Sequence, residues 1–302
     1  MLDYLISIYS TKRRNPLLNK IKFYYVRMRL AILGAKFILP LYFYLFPSKK
    51  LNNNSNIIVS LTSFPARIKT VWITIESILR QTQPPQKIIL WLSVQQFKNT
   101  KSLPSSLLKL QKKGVEIRFV EENIMSHKKY YYVMQEYPTS YIITIDDDLL
   151  YHSSLIETLY NISTNNHAVA CNYAREISHK QSSLLPYNSW KLIGKEPFNT
   201  PISSNNIFFG SGGGTIFPPK SLHNDWSKKN LFTQLTPKAD DIWLNAMCRL
   251  NKTPIIYINS LYDLLPIPIK NNKKLADENL NLNMNDIQIN NICTYYKKNI
   301  FD

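Results

Sequence analysis

Apolar residues recur through the middle of the chain in short, nearly unbroken runs, at Ile57 to Leu61, Ile88 to Leu92, Val115 to Val120 and Tyr141 to Ile145. Runs of this length, rich in β-branched residues and without polar alternation, predict strands covered on both faces of a sheet. Between them, apolar positions at helical spacing predict helices over Val71 to Arg80, Leu103 to Gln111 and Lys128 to Gln135. Strand and helix alternate every ~30 residues, the length of a βαβ unit, so a mostly parallel α/β sheet flanked by helices is expected. Further along, the pattern predicts a helix near Ser153 to Ile162, a strand near Ala168 to Tyr173, an irregular stretch to about Asn206, and a helix from Asp240 to Leu250. The first half reads as a Rossmann-like nucleotide-binding half and the second as the acceptor half.

Three segments follow from the punctuation. The polar break Asn52-Asn53-Asn54-Ser55 separates a basic, aromatic extension (1–55) from an enzyme-sized domain (56–269), and 270–302 is an Asn- and Lys-rich tail with a short helix. The net charge of +17 points toward anionic partners. Its distribution narrows the choice, because residues 1–56 hold ten basic side chains against the single acid Asp3, more than half of the excess. Within that segment, Leu30 to Phe46 is apolar and aromatic but contains Lys36 and Pro40 and is short for a membrane span. Tyr24, Tyr25, Tyr42 and Tyr44 interleaved with Arg27, Arg29 and Lys36 suit a helix lying on an anionic membrane surface. A partner-binding or core-packing helix pair is the plainer alternative. The cysteines Cys171, Cys248 and Cys293 form no CxxC or Cys/His cluster, so neither a disulfide framework nor a zinc site is expected. No signal-peptide pattern opens the chain, and a cytoplasmic protein, peripheral on the inner face of the cell membrane, is the expectation.

Chemistry is expected where strands end, because ligands of open α/β sheets bind beyond the carboxyl ends of the strands. The fourth run passes directly into Asp146-Asp147-Asp148. Three adjacent carboxylates call for a cation, and Mg²⁺ or Mn²⁺ held by one or two of them plus substrate phosphates fits better than a calcium cage. A solvated acidic turn is the bland reading. The first run passes into Thr62-Ser63-Phe64-Pro65-Ala66-Arg67, and Arg67, Lys128 and Lys129 are cations placed to neutralise phosphate. Asp240 and Asp241 open a helix, where one could cap it and the other act as a general base. Four of the seven glycines fall within Gly210-Ser211-Gly212-Gly213-Gly214, marking a close backbone approach. The five histidines show no ligand spacing and receive no role.

Taken together, Ser60 to Ile68, the aspartate triplet, Gly212 to Gly214 with Pro218-Pro219, and Ala239-Asp240-Asp241-Ile242-Trp243 resemble bacterial family-2-like glycosyltransferases of the GT-A fold that build capsular or lipopolysaccharide chains. The likeness runs from Asn56 to Tyr257. It implies inverting sugar transfer from a nucleotide sugar, a UDP-sugar by preference, to a glycan or lipid-linked acceptor, with Mn²⁺ or Mg²⁺. By the family's DxD motif, Asp146 and Asp147 would face the nucleoside and ribose, and Asp148, with Asp146, would take the metal. Thr62, Ser63, Phe64 and Arg67 would lie against uracil and ribose, and Lys128 near the nucleotide. Gly212, Gly213 and Gly214 would border the donor sugar or acceptor. Asp241 would be the base, with Asp240 the other candidate. A sugar nucleotidyltransferase would need a glycine-rich loop after the first strand, which Thr62 to Arg67 lacks. A non-enzymatic membrane- or nucleic-acid-binding protein would leave the aspartates unused, and no nucleic-acid motif is present.

Overall fold

The computed structural model describes residues 1–10, 21–181, 183–193, 200–260, 262–268 and 283–302. The four predicted runs are strands β1 (Ile57–Thr62), β2 (Lys87–Ser93), β3 (Val115–Val120) and β4 (Tyr141–Ile145). They pair in parallel in the spatial order β4-β1-β2-β3, with Val59 opposite both Ile88 and Ile143. All four carboxyl ends therefore emerge along one edge. Antiparallel to β4 runs Gly213–Phe217, followed by Val169–Cys171, Ile255–Tyr257 and Ile202–Ser203, completing eight strands.

Successive side chains of a strand point to opposite faces, and both faces of this sheet are dry. Ile58, Ile89 and Ile142 face one core, shared with Trp243, Met247 and Ile292. Ile57, Val59, Leu61, Ile88, Leu90 and Ile143 face the other, packed against Ile75 and Leu159. The helices covering these faces include α4 (Val71–Ile78), α5 (Ser105–Leu108), α6 (Lys128–Glu136), α7 (Leu155–Asn166) and α9 (Asp240–Leu250). The helix expected over Leu103 to Gln111 is shorter than its apolar spacing suggested. It begins after Pro104 and passes at Lys109 into a 3₁₀ turn that ends on Gly114, at φ +90. The strand expected at Ala168 to Tyr173 is Val169–Cys171, because Asn172 already turns to donate its backbone N–H to Gly214.

The basic extension is not a free arm. Helix α1 (Leu2–Tyr9) and the helical run from Ile21 to Leu45 place Leu5, Ala31, Ala35, Leu39 and Phe43 in a third core with Ile73, Leu150 and Leu265 of the sheet-bearing part. Lys36 and Pro40 do not interrupt the helix as the sequence suggested. A π-helical turn, Gly34–Ile38, absorbs the missing hydrogen bond and the clash that proline imposes on the preceding turn. Tyr25 to Leu45 is thus one helix of 21 residues, long and apolar enough by length and composition to cross a membrane, against the expectation that it is too short. Its inner stripe is buried, whereas Leu30, Leu33, Phe37, Leu41, Tyr44 and Leu45 are exposed. Tyr24 is among the residues whose side chains lie outside the described set. At the other end, the helix Met284–Tyr296 buries Ile289 and Ile292 in the first core, so the end of the chain packs with the sheet. The Asn/Lys-rich stretch 269–282 lies outside the described residues.

Candidate functional site

At the carboxyl edge of the parallel strands a cavity of about 650 Å³ opens between the ends of β1 and β4 and the start of α9. It is lined by Thr62, Ser63, Phe64, Arg67, Lys128 and the three aspartates of the triplet, and on the other side by Gly212, Gly213, Asp240 and Asp241. Apart from Gly214, every candidate site residue drawn from the sequence lines this cavity.

The triplet is not a solvated turn. Asp147 is buried, accepting a hydrogen bond from Ser63 Oγ at 2.5 Å and an ion pair from Arg67 at 2.7 Å. The second guanidinium nitrogen of Arg67 reaches Asp148 at 3.0 Å. Arg67 is aimed by a tight turn, in which its N–H bonds the Phe64 carbonyl at 2.9 Å and its guanidinium sits 5.3 Å from the Phe64 ring. The segment after β1 therefore acts first on the triplet.

Asp146 turns the other way. Its backbone N–H bonds the carbonyl of Gly212 at 2.9 Å, and its carboxylate opens to the cavity while pairing with Lys129 at 3.0 Å. The buried ammonium of Lys129 also lies 3.1 Å from Asp240. Burial opposes the charge on Lys129, but the carboxylates of Asp146, Asp240 and Asp241 outweigh it and hold its pKa above the ordinary lysine value. Lys129 thus ties the acidic ends of β4 and α9 together, a structural role beyond the phosphate neutralisation its sequence position suggested. Lys128, by contrast, pairs with no acid among the described residues. It donates to the Asn123 carboxamide, and burial lowers its pKa to about 8, leaving a cation in the cavity wall that an incoming anion would satisfy.

The aspartate pair differs from expectation in one respect. Neither carboxylate caps α9, whose cap residue is Ala239. Both turn back to Ser211 instead, Asp240 accepting from its Oγ at 2.6 Å and Asp241 from its backbone N–H at 2.7 Å. Their environments separate them. Burial would raise Asp240, but Lys129, His127 and the Ser211 hydroxyl draw its pKa below the ordinary carboxylate value. For Asp241, burial and the neighbouring Asp240 outweigh the pull of Lys129 and of the Ser211 N–H and push it up to about 7. A carboxylate that titrates near neutrality is a competent proton acceptor, and one locked to an ammonium is not.

The glycines act through space, and on different neighbours than a ligand. A Cβ on Gly212 would fall 1.9 Å from the Asp146 carboxyl carbon, one on Gly213 2.3 Å from Tyr173, and one on Gly210 2.7 Å from the Tyr173 ring. Gly214, at φ +91 against Leu155, sits at a bulge in the strand Gly213–Phe217 and does not line the cavity. Residues missed from sequence are Ser211, which holds both aspartates from among those glycines, and Tyr173, Arg175, Tyr187 and Asn285, which line the cavity. Tyr173 closes the predicted strand, and the other three sit in irregular or terminal stretches where no periodicity marks them.

A divalent ion is compatible with this donor set. Among the described residues no cluster of three or more His, Cys, Asp or Glu encloses a metal by itself. Asp146 and Asp148 instead present hard oxygens to an open cavity, the arrangement of an ion that completes its shell with phosphate and water.

Residues 59–226 match the glycosyl transferase family 2, which covers more than half of the sequence, and the chain belongs to that family. Its mixed sheet is of the GT-A type. Over 137 residues it is 26% identical to the cholesterol galactosyltransferase of Borreliella burgdorferi, an alignment spanning 43% of this chain and 38% of that protein. The chain thus matches well under half the length of that curated relative. Among solved structures it resembles GalNAc-T7 with UDP, GalNAc and Mn²⁺ (TM-score 0.45, 14% identity, 72% of this chain and 45% of the other). It also resembles residues 1–349 of S. aureus TarS with UDP (TM-score 0.45, 10% identity, 68% and 58%).

Gly212 gives a direct check on this geometry. Gly212→Ala must displace the Asp146 carboxylate, and misplacement of about 1 Å costs on the order of 10²-fold in rate. Steady-state turnover of the donor should fall by that much while the thermal midpoint moves little; unchanged turnover would show that the position of Asp146 is unimportant.

Proposed function

We propose that this chain is an inverting glycosyltransferase that moves a sugar from a UDP-sugar to a glycan or lipid-linked acceptor in surface polysaccharide synthesis, with Asp241 as the general base. The observation that carries this reading is the separation of the two aspartates, with Asp240 neutralised by Lys129 and Asp241 left at the cavity surface with a raised pKa. The acceptor hydroxyl loses its proton to Asp241 as its oxygen bonds the anomeric carbon from the face opposite the leaving group. The bond from that carbon to the diphosphate oxygen breaks, and the nucleoside diphosphate departs with the electron pair. Lys128 stabilises the charge developing on the diphosphate, and Thr62 to Arg67 hold the nucleoside side. Asp148 and Asp146 would hold Mn²⁺ or Mg²⁺, which supplies further neutralisation of that charge.

As Asp241 must be ionised to accept a proton and its pKa lies near 7, kcat should rise about tenfold per pH unit below neutrality and level off above it. Asp241→Asn should lower kcat by ~10²- to 10⁴-fold and abolish that acid limb, with donor affinity retained. The check is a pH-rate profile of UDP release with a panel of UDP-sugars. An Asp241→Asn enzyme with ordinary turnover defeats the assignment.

The extension completes the reading as a surface anchor, peripheral and cytoplasmic. The outer stripe of the 25–45 helix is apolar, with Arg29 and Lys36 exposed beside it, and the inner stripe is committed to the third core, which favours lying on a membrane over crossing it. Vesicles rich in phosphatidylglycerol should sediment the wild type, and Phe37→Glu with Leu41→Glu should stay in the supernatant. Equal sedimentation of the two would remove the anchor.

A further inference from the structure

The cavity wall nearest Asp241 is built by a different part of the chain from the nucleotide side. In sheet order, Gly213–Phe217 separates β4 from Val169–Cys171 and the segment that follows it. That segment carries Tyr173, then Arg175 on a strand, Ala174–Glu176, that pairs with Ile207–Phe209. Tyr187 joins them from the short turn Tyr187–Ser189. All three line the cavity, and both tyrosines lie within electrostatic reach of Asp241.

These side chains are seated firmly. Gly210 and Gly213 leave room for Tyr173 that any Cβ would fill. The Tyr187 ring meets Phe208 edge to face, with centroids 5.6 Å apart and planes at 81°, and lies 5.0 Å from the Trp190 ring. Its backbone N–H donates to Asp286 of the C-terminal helix at 2.8 Å, and Asn285 of the same helix reaches the cavity. Arg175 donates to the Trp190 carbonyl at 2.7 Å, its guanidinium lies 5.3 Å from the centre of the Tyr187 ring, and its charge acts on both tyrosine hydroxyls. It forms no ion pair among the described residues.

A fixed aromatic face bordered by a planar multidentate donor and a carboxamide matches the surface of a pyranose. Axial C–H groups pack on a ring, and vicinal hydroxyls bridge the nitrogens of an arginine or the two ends of an amide. A nucleobase would also stack, but the turn after β1 and the triplet already define the nucleotide side on the other flank of β4. We infer that Tyr173, Arg175 and Tyr187, with Asn285, form the acceptor subsite, and that it takes the pyranose ring of a glycan whose hydroxyl is presented to Asp241. This rests on the reading of Asp241 as the base of sugar transfer. It also gives the C-terminal helix a function, since Asp286 and Asn285 place one wall of the subsite.

Saturation-transfer NMR with the methyl pyranosides of glucose, galactose, mannose and N-acetylglucosamine, in the presence of UDP and the diamagnetic Mg²⁺, tests it. At least one should receive saturation at its ring C–H protons from the wild type. Tyr187→Leu should weaken that pyranoside tenfold or more, Tyr187→Phe should keep most of the affinity, and UDP affinity should stay within twofold in both. If Tyr187→Leu also loses UDP, Arg175→Lys decides, with a several-fold loss of pyranoside affinity expected. No pyranoside binding to a wild type that holds UDP, or full binding by both Tyr187→Leu and Arg175→Lys, overturns the subsite alone. A wild type that does not bind UDP overturns the donor reading beneath it.

Discussion

Five carboxylates converge at the end of β4 and the start of α9, and the site depends on how their mutual repulsion is met. At an effective dielectric near 20, two like charges 4 Å apart oppose each other by about 4 kcal/mol, so such a cluster persists only with cations built into it. Two side chains supply them. Arg67 forks across Asp147 and Asp148, and Lys129 bridges Asp146 and Asp240. What remains uncompensated is chemically informative: Asp241 on the acid side, and Lys128 as a cation without an acid partner among the described residues. One suits a proton and the other a phosphate.

The same two bridges tie distant parts of the sequence into one site. Arg67 comes from the turn after β1, the triplet from the end of β4, Lys129 from the first turn of α6 and the aspartate pair from α9. Parallel strands deliver the first two to a common edge. The antiparallel strand at Gly213 brings Ser211 back to receive both aspartates of α9, and Gly212 lets Asp146 lie directly over it.

Much of this was legible in the chain. The apolar runs marked β1 to β4 almost to the residue, because a strand covered on both faces stays apolar until it leaves the core, and the polar residues at each end mark its limits. The triplet and the aspartate pair stood out as charges at element ends. What periodicity could not reveal was which charge meets which. Lys129 looked like its neighbour Lys128, yet one turns into the acidic cluster and the other into the cavity wall. Asp240 and Asp241 looked like one helix cap and one candidate base, whereas the turn at Ser211 holds both and neither caps the helix. Tyr173 and Tyr187 carried no signal, since their meaning comes from Gly210, Gly213 and Phe208 packing around them. The helix through Lys36 and Pro40 was misjudged for a related reason: a π turn accommodates a proline that a regular helix would not.

The proposed chemistry rests on the triplet as a cation-compensated platform for a nucleoside diphosphate and its divalent ion. Calorimetric titration of UDP in the presence of Mn²⁺ is the most direct measurement, comparing the wild type with Asp148→Ala and with the wild type in EDTA. UDP should bind the metal-loaded wild type at least tenfold more tightly than either comparison. Equal affinity in all three would contradict it.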